Sequence, residues 1–311
     1  MKKFVWILAV VVALVIAATP AAAQGKVWKV PANFATIKAA LESPKVKDGD
    51  TLMVGPGQFA GAYVNKQVTI KGVGRAEINS GPLHSSGMDM GFRLLAGSSG
   101  ASIENLTFTV DLAIMNGGAV SNVTVTQNRF LNAVQAVSNW RGNGWDISHN
   151  EIIDLRSNNG GGIGILIGDY MGGVVQDNLV ANNTIAGTLH VSPVDGGGYA
   201  GSGIVIYADF RYGGAGANSL SYNRVIKNKV SLVSDTPAVV DINAFELTDS
   251  RDDALLDPVI HNNAIGFNDF RGTEQQILLT PASLDLVNDI SRNFGENRGH
   301  GLSPKLFGPV R

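Results

Sequence analysis

The 311-residue chain carries 24 lysines and arginines against 26 aspartates and glutamates, a formal net charge of -2, and no cysteine. That balance excludes the basic footprint of a DNA- or RNA-binding protein, and the absence of cysteine excludes disulfides, thiolate metal sites and a cysteine nucleophile. Charged residues make up only 16% and glycine reaches 38 residues, yet 44% of the chain is hydrophobic, which separates it from disordered sequences and predicts a core of small and aliphatic side chains.

Residues 1–23 read as a secretory signal peptide: "MKK", an apolar run from Phe4 to Ala18 too short for a membrane span, and small residues at 21–23 for cleavage before Gln24. Without Lys2 and Lys3, 22 basic residues face 26 acidic ones and the net charge becomes -4. The expected product is a secreted or periplasmic chain, 24–311, with no membrane span after cleavage. A short helix follows, with Phe34, Ile37, Ala40 and Leu41 on one face and Asn33 as its expected cap. "GDTLMVGPG" and "YVNKQVTIKG" then read as strands between turn signals.

From residue 123 a figure of the form apolar-x-x-Asn-x-apolar recurs as "VTVTQNRF", "WDISHNEI", "NLVANNTI", "NRVIKNKV" and "NAIGFNDF", with a degraded copy in "DISRNFG". Its asparagines, Asn128, Asn150, Asn183, Asn228 and Asn268, lie 22, 33, 45 and 40 residues apart, the spacing of solenoid coils with variable insertions. In a parallel solenoid, equivalent residues stack at about 4.8 Å. The asparagines are therefore expected to sit at a bend in the left-handed conformation and to bond to one another as a structural ladder. A second strand precedes each figure, in "AVQAVSNWR", "GIGILIGDY", "GSGIVIYADF", "NAFELTDSR" and "QQILLTPAS", and a third is assigned to runs such as "LAIMNGG".

The succession "ATIKAAL…GDTLMVGPGQFAGAYVNKQVTIKGVG", followed by the asparagine coils, resembles the pectin-lyase-like superfamily over about residues 26 to 300. The resemblance implies an all-β fold, a single-stranded right-handed parallel β-helix with an amino-terminal capping helix. It leaves chemistry open, because that scaffold carries lyases, esterases, hydrolases, epimerases and adhesins.

Aligning the exits of the second strand puts Asp169, Asp209 and Asp249 in one column, with Asn139 in the coil before. Stacked carboxylates would repel by about 3 kcal/mol per neighbouring pair, so calcium or interleaved Arg211 and Arg251 should lie among them. By analogy with uronan lyases of the resembled superfamily, the three aspartates would hold calcium and Arg211 or Arg251 would take the C5 proton, while Trp140, Tyr170 and Tyr212 would face sugar rings. The plainer reading is that aspartates leaving strands cap turns and form surface ion pairs. "RDD" at 251–253 and "GHG" at 299–301 are similar to polygalacturonase elements, but the basic "RVIK" precedes both, an order that forbids transfer of roles. His84, His149, His190 and His261 are dispersed, with no zinc spacing. The expected function is binding, and on the resemblance lyase-type cleavage, of an acidic polysaccharide or cell-surface glycan. The alternative is a non-catalytic surface adhesin or periplasmic scaffold. Oligomeric state stays open.

Overall fold

The computed structural model of the chain describes residues 25–197, 199–210, 218–237, 239–251, 257–299 and 306–308. The signal segment at 1–23 lies outside them. Among the described residues, every pairing between named strands is parallel, and the strands stack into walls of ten, nine and seven with a short three-stranded extension: the chain is a parallel β-helix.

A single coil shows how sequence becomes corner and wall. Thr124–Thr126 pairs within the ten-stranded first wall, Arg129–Ala133 within the seven-stranded third wall, and Gln135–Trp140 within the nine-stranded second wall. The next coil then begins at Asp146–Ser148. The asparagine figure, which reads as one strand, is therefore two strands and the corner between them. "LAIMN", expected to carry a third strand, belongs instead to the second wall, where Leu112–Asn116 pairs with Gln135–Trp140.

Inward residues of each wall form columns. In the first wall Ile70, Ile103, Val125, Ile147, Val180, Val225, Ile265 and Ile290 stack in register. Phe108 and Phe130 stack at 5.0 Å, and Phe245 and Phe270 at 6.0 Å. Like residues on neighbouring coils present matching shapes, so the core is filled by repetition.

The corner carries the asparagine ladder. Nδ2 of Asn128, Asn150, Asn183, Asn228 and Asn268 each donates to Oδ1 of the next rung at 2.9–3.2 Å, ending on Asn293. The same Oδ1 atoms also accept the backbone N–H of the preceding rung at 2.9–3.1 Å. Leu106 N–H enters the first rung and Glu296 accepts from Asn293 N–H at the last. The left-handed residue, however, is the one before each asparagine: Gln127, His149, Asn182, Lys227, Phe267 and Arg292 have φ between 55° and 61°. That residue makes the turn, and its reversal swings the asparagine inward where its amide can reach both neighbours.

A second ladder runs parallel to the first. Asn178, Asn223, Asn263 and Asn288 are linked side chain to side chain at 2.8–2.9 Å. It stands five residues upstream of the first column, at the opening residue of "NLVANN", "NRVIKN" and "NAIGFN", so the sequence held its signal.

The expected helix spans Ile37–Glu42 and buries Ile37, Ala40 and Leu41 in the common core. Its cap is Thr36, whose hydroxyl accepts from Ala39 N–H at 3.0 Å. Asn33 accepts from Lys29 N–H instead. No helix among the described residues is long and apolar enough to cross a membrane.

Candidate functional site

The strand exits of the second wall are ordered by register. Asp169 pairs with Ala208, and Ala208 with Asp249, so two of the three aspartates share a column and an alanine separates them. Asp209 falls one residue further on and donates its backbone N–H to Asp169 O at 2.8 Å. Asn139 is not in that column, because it pairs with Ile167. Its amide instead reaches Asn178 Oδ1, at the head of the second ladder. The alignment by sequence spacing slipped because the coils differ in length and the exit turns absorb the difference.

All three aspartates are buried: Asp169 at 0%, Asp209 at 2% and Asp249 at 1% exposure. Asp169 Oδ2 accepts from Gly173 N–H at 2.6 Å, and Arg141 Nε stands 3.3 Å from its other oxygen. Burial pushes its carboxyl above the usual range, opposed by backbone N–H groups of Gly173, Met171 and Tyr170 and by Arg141. Asp249 is gripped by Arg251, whose Nη2 lies 2.7 Å from Oδ2 and whose Nε reaches both oxygens at 3.1 and 3.2 Å. The Arg251 guanidinium also lies 4.9 Å from the centre of the Phe210 ring and donates to Asp257 O.

Arg251, one of the two arginines expected among the aspartates, thus stands on Asp249, and Arg141 stands beside Asp169. Among the described residues no three histidine, aspartate or glutamate side chains converge so as to hold a metal ion. Arg211 and Tyr212, expected as base and sugar platform, lie outside the described residues. Trp140 is 1% exposed and presents no open face; its ring meets Tyr170 edge-on at 5.4 Å. Tyr170 itself is half-buried.

One acidic residue escaped the sequence reading. Glu246 is fully buried, accepting from Ser202 Oγ at 2.7 Å and Thr248 Oγ1 at 2.5 Å, with Asn243 Nδ2 at 3.4 Å. Its register partners are Val205 and Leu278. A glutamate set between Val205 and Leu278 was the available signal, hidden until the strands were in register.

No family model matches the chain. A curated relative, a cell surface glycoprotein of Methanothermus fervidus, is 28% identical over 140 residues, covering 42% of this chain and 22% of the relative. The chain therefore spans about a fifth of that relative's length. Among solved structures, the catalytic domain of a GH87 alpha-1,3-glucanase in complex with nigerose aligns with a TM-score of 0.46 and 15% identity, over 85% of this chain and 45% of that one. A variant of such a domain, also with nigerose, aligns with a TM-score of 0.35 and 14% identity, over 87% and 66% of the two chains.

Proposed function

We propose that the protein works outside the cytoplasm and binds an acidic polysaccharide along the edge where the second-wall strands end. The observation that carries this reading is a pair of arginines held by buried carboxylates. The Asp169 and Asp249 side chains are 0% exposed, whereas Arg141 and Arg251 retain 30% and 18%. The acidic partner is therefore withdrawn inside and the guanidinium side remains accessible. Arg141 and Arg251 stand three coils apart, roughly 14 Å at the spacing of neighbouring strands. A fixed guanidinium suits the planar carboxylate of a uronic acid. The name of the curated relative, a cell surface glycoprotein, and the pectin-lyase-like resemblance support a glycan at the cell surface or envelope.

Lyase-type elimination is the finer version of the same reading, with Arg211 as its base. Arg251 is better suited to binding than to proton abstraction, because its guanidinium is committed to Asp249. A surface adhesin or envelope scaffold would use the same edge without chemistry.

The test is calorimetric titration of the chain from Gln24 with polygalacturonate, alginate and a neutral alpha-1,3-glucan at low and high salt, with ultraviolet absorbance of unsaturated products followed in the same mixtures. We expect uronan binding that salt weakens and that Arg141→Ala or Arg251→Ala reduces about tenfold, or about 1.4 kcal/mol. Salt-independent binding of the neutral glucan, or none of the uronans, would overturn the reading. Absorbance would add cleavage to binding.

A further inference from the structure

The loop that leaves the helix at Ile37–Glu42 runs as "SPKVKDGD" into the strand Thr51–Val54. Val46 anchors it in the core at 1% exposure, and Lys45 and Lys47 on either side of that anchor are turned to solvent. Beside it stands Val27–Val30, the outermost strand of the first wall, paired with Thr51–Val54. Alternation along an extended chain puts Trp28 on the same side as Lys26. Lys26, Trp28, Lys45 and Lys47 line one cavity of about 530 Å³, together with Asp48 and Asp50.

The two carboxylates of this cavity are already engaged. Asp50, 4% exposed, accepts from Lys26 N–H at 2.7 Å, from Trp28 Nε1–H at 2.8 Å and from Lys47 N–H at 2.9 Å. Burial acts to raise its pKa, but these donors more than offset it and hold the carboxyl below the usual range. Asp48 Oδ1 accepts from Gln67 N–H at 2.9 Å. The lysine ammoniums are not engaged in this way. Lys38 and Lys71 each pair with a glutamate, whereas among the described residues Lys26, Lys45 and Lys47 pair with no carboxylate.

Lys66 adds a fourth cation, its Nζ donating to Ser43 O at 2.8 Å and Val46 O at 3.0 Å. Burial first, and then the charge of Lys47, push its ammonium below the usual range, with Asp48 and Asp50 opposing. An anion would relieve that crowding. Trp28 is held by its bond to Asp50 and by an edge contact with Phe34 at 5.5 Å, which leaves the indole fixed and half-buried beside the lysines. In a chain of net charge -2, such a grouping departs from the surface as a whole.

The chemistry of the cations selects the anion. A phosphomonoester carries about -1.5 to -2 charge at neutral pH and presents three acceptor oxygens. Several ammonium point charges meet it well, whereas one planar carboxylate suits the fork of an arginine. The indole supplies an apolar face for a ring beside the charge. We propose that the Trp28 cavity binds a phosphorylated sugar, with Lys26, Lys45 and Lys47 on the phosphoryl group and the Trp28 indole on the sugar ring. This site stands in the first strand of the first wall, apart from the arginine edge of the second wall, and does not depend on it.

The test uses the chain from Gln24. Of its tryptophans, Trp140 and Trp145 are each 1% exposed, so acrylamide-quenchable emission reports Trp28. Glucose 6-phosphate, glucose, inorganic phosphate and glucuronate are titrated in turn. Glucose 6-phosphate is expected to shield Trp28, and inorganic phosphate to displace it without shielding. Lys45→Ala combined with Lys47→Ala should weaken that binding roughly tenfold, because both lysines are exposed and their loss leaves the fold intact while removing two charged donors. Lys38→Ala, at a lysine paired with Glu42, should leave it unchanged. Shielding undiminished in the double lysine variant would overturn the proposal, as would equal shielding by glucose or by glucuronate. So would the absence of shielding by glucose 6-phosphate, a result that leaves uronan binding at Arg141 and Arg251 standing.

Discussion

Each rung of the asparagine ladder satisfies groups on two neighbouring coils. Asn183 Oδ1 accepts both the backbone N–H and the side-chain Nδ2 of Asn150 at 3.0 Å, and its own Nδ2 donates to Ile147 O at 2.8 Å and Asn228 Oδ1 at 2.9 Å. At 1% exposure no water can replace these partners. Asn183→Ala should therefore destabilise the chain by about 3 kcal/mol, measured by urea unfolding, because it orphans two donors of Asn150 and the Ile147 carbonyl on the preceding coil. Asn182→Gly, at the left-handed position beside it, should cost little or even stabilise, since glycine adopts φ of 55° freely. The ladder was legible in the sequence because asparagine recurs at one place in the figure. Which residue bends the chain was not, because Gln127, His149, Lys227, Phe267 and Arg292 share no chemistry. The left-handed turn there is imposed by the coil, not chosen by the side chain.

At the scale of the element, the second wall depends on small residues where neighbouring coils approach closely. Gly203 has no room for a side chain: an added Cβ would lie 2.5 Å from Val230 Cγ1 and 2.7 Å from Ala244 O. Gly196, in the preceding loop, meets nothing within 4 Å. Gly203→Ala is expected to lower stability by about 2 kcal/mol through overpacking, while Gly196→Ala leaves the unfolding midpoint close to that of the parent chain. Equal effects at both sites would contradict this account. The strands themselves were readable from their apolar runs, and "GSGIVIYADF" and "NAFELTDSR" lie in the wall as expected. Their relative register was not. Pairing Ala208 with Asp249 sets Asp209 one place outside the column, because parallel strands align by backbone hydrogen bonds and inward packing, not by residue count between repeats.

For the whole molecule, stability passes from coil to coil. Ile147 sits mid-stack at 0% exposure with Val125 and Val180 on either side, whereas Ile290 lies in the last strand of the first wall at 7%. In a solenoid, where each repeat meets only its neighbours, Ile147→Ala should cost about 2–5 kcal/mol and lower hydrogen-exchange protection on both sides. Ile290→Ala should lose protection mainly in the final coils. Uniform loss from both substitutions would indicate a single cooperative unit. The sequence by itself determined the parallel β-helix, the first asparagine column and the second-wall strands from Gln135 to Thr280, because these depend on what recurs from coil to coil. Only the tertiary structure decided which carboxylates share a column, that Arg141 meets Asp169, that Trp140 is enclosed, and that Phe307 returns to Gln135 across 172 residues. Those are contacts between unlike residues at unrelated separations, and nothing periodic in the chain encodes them.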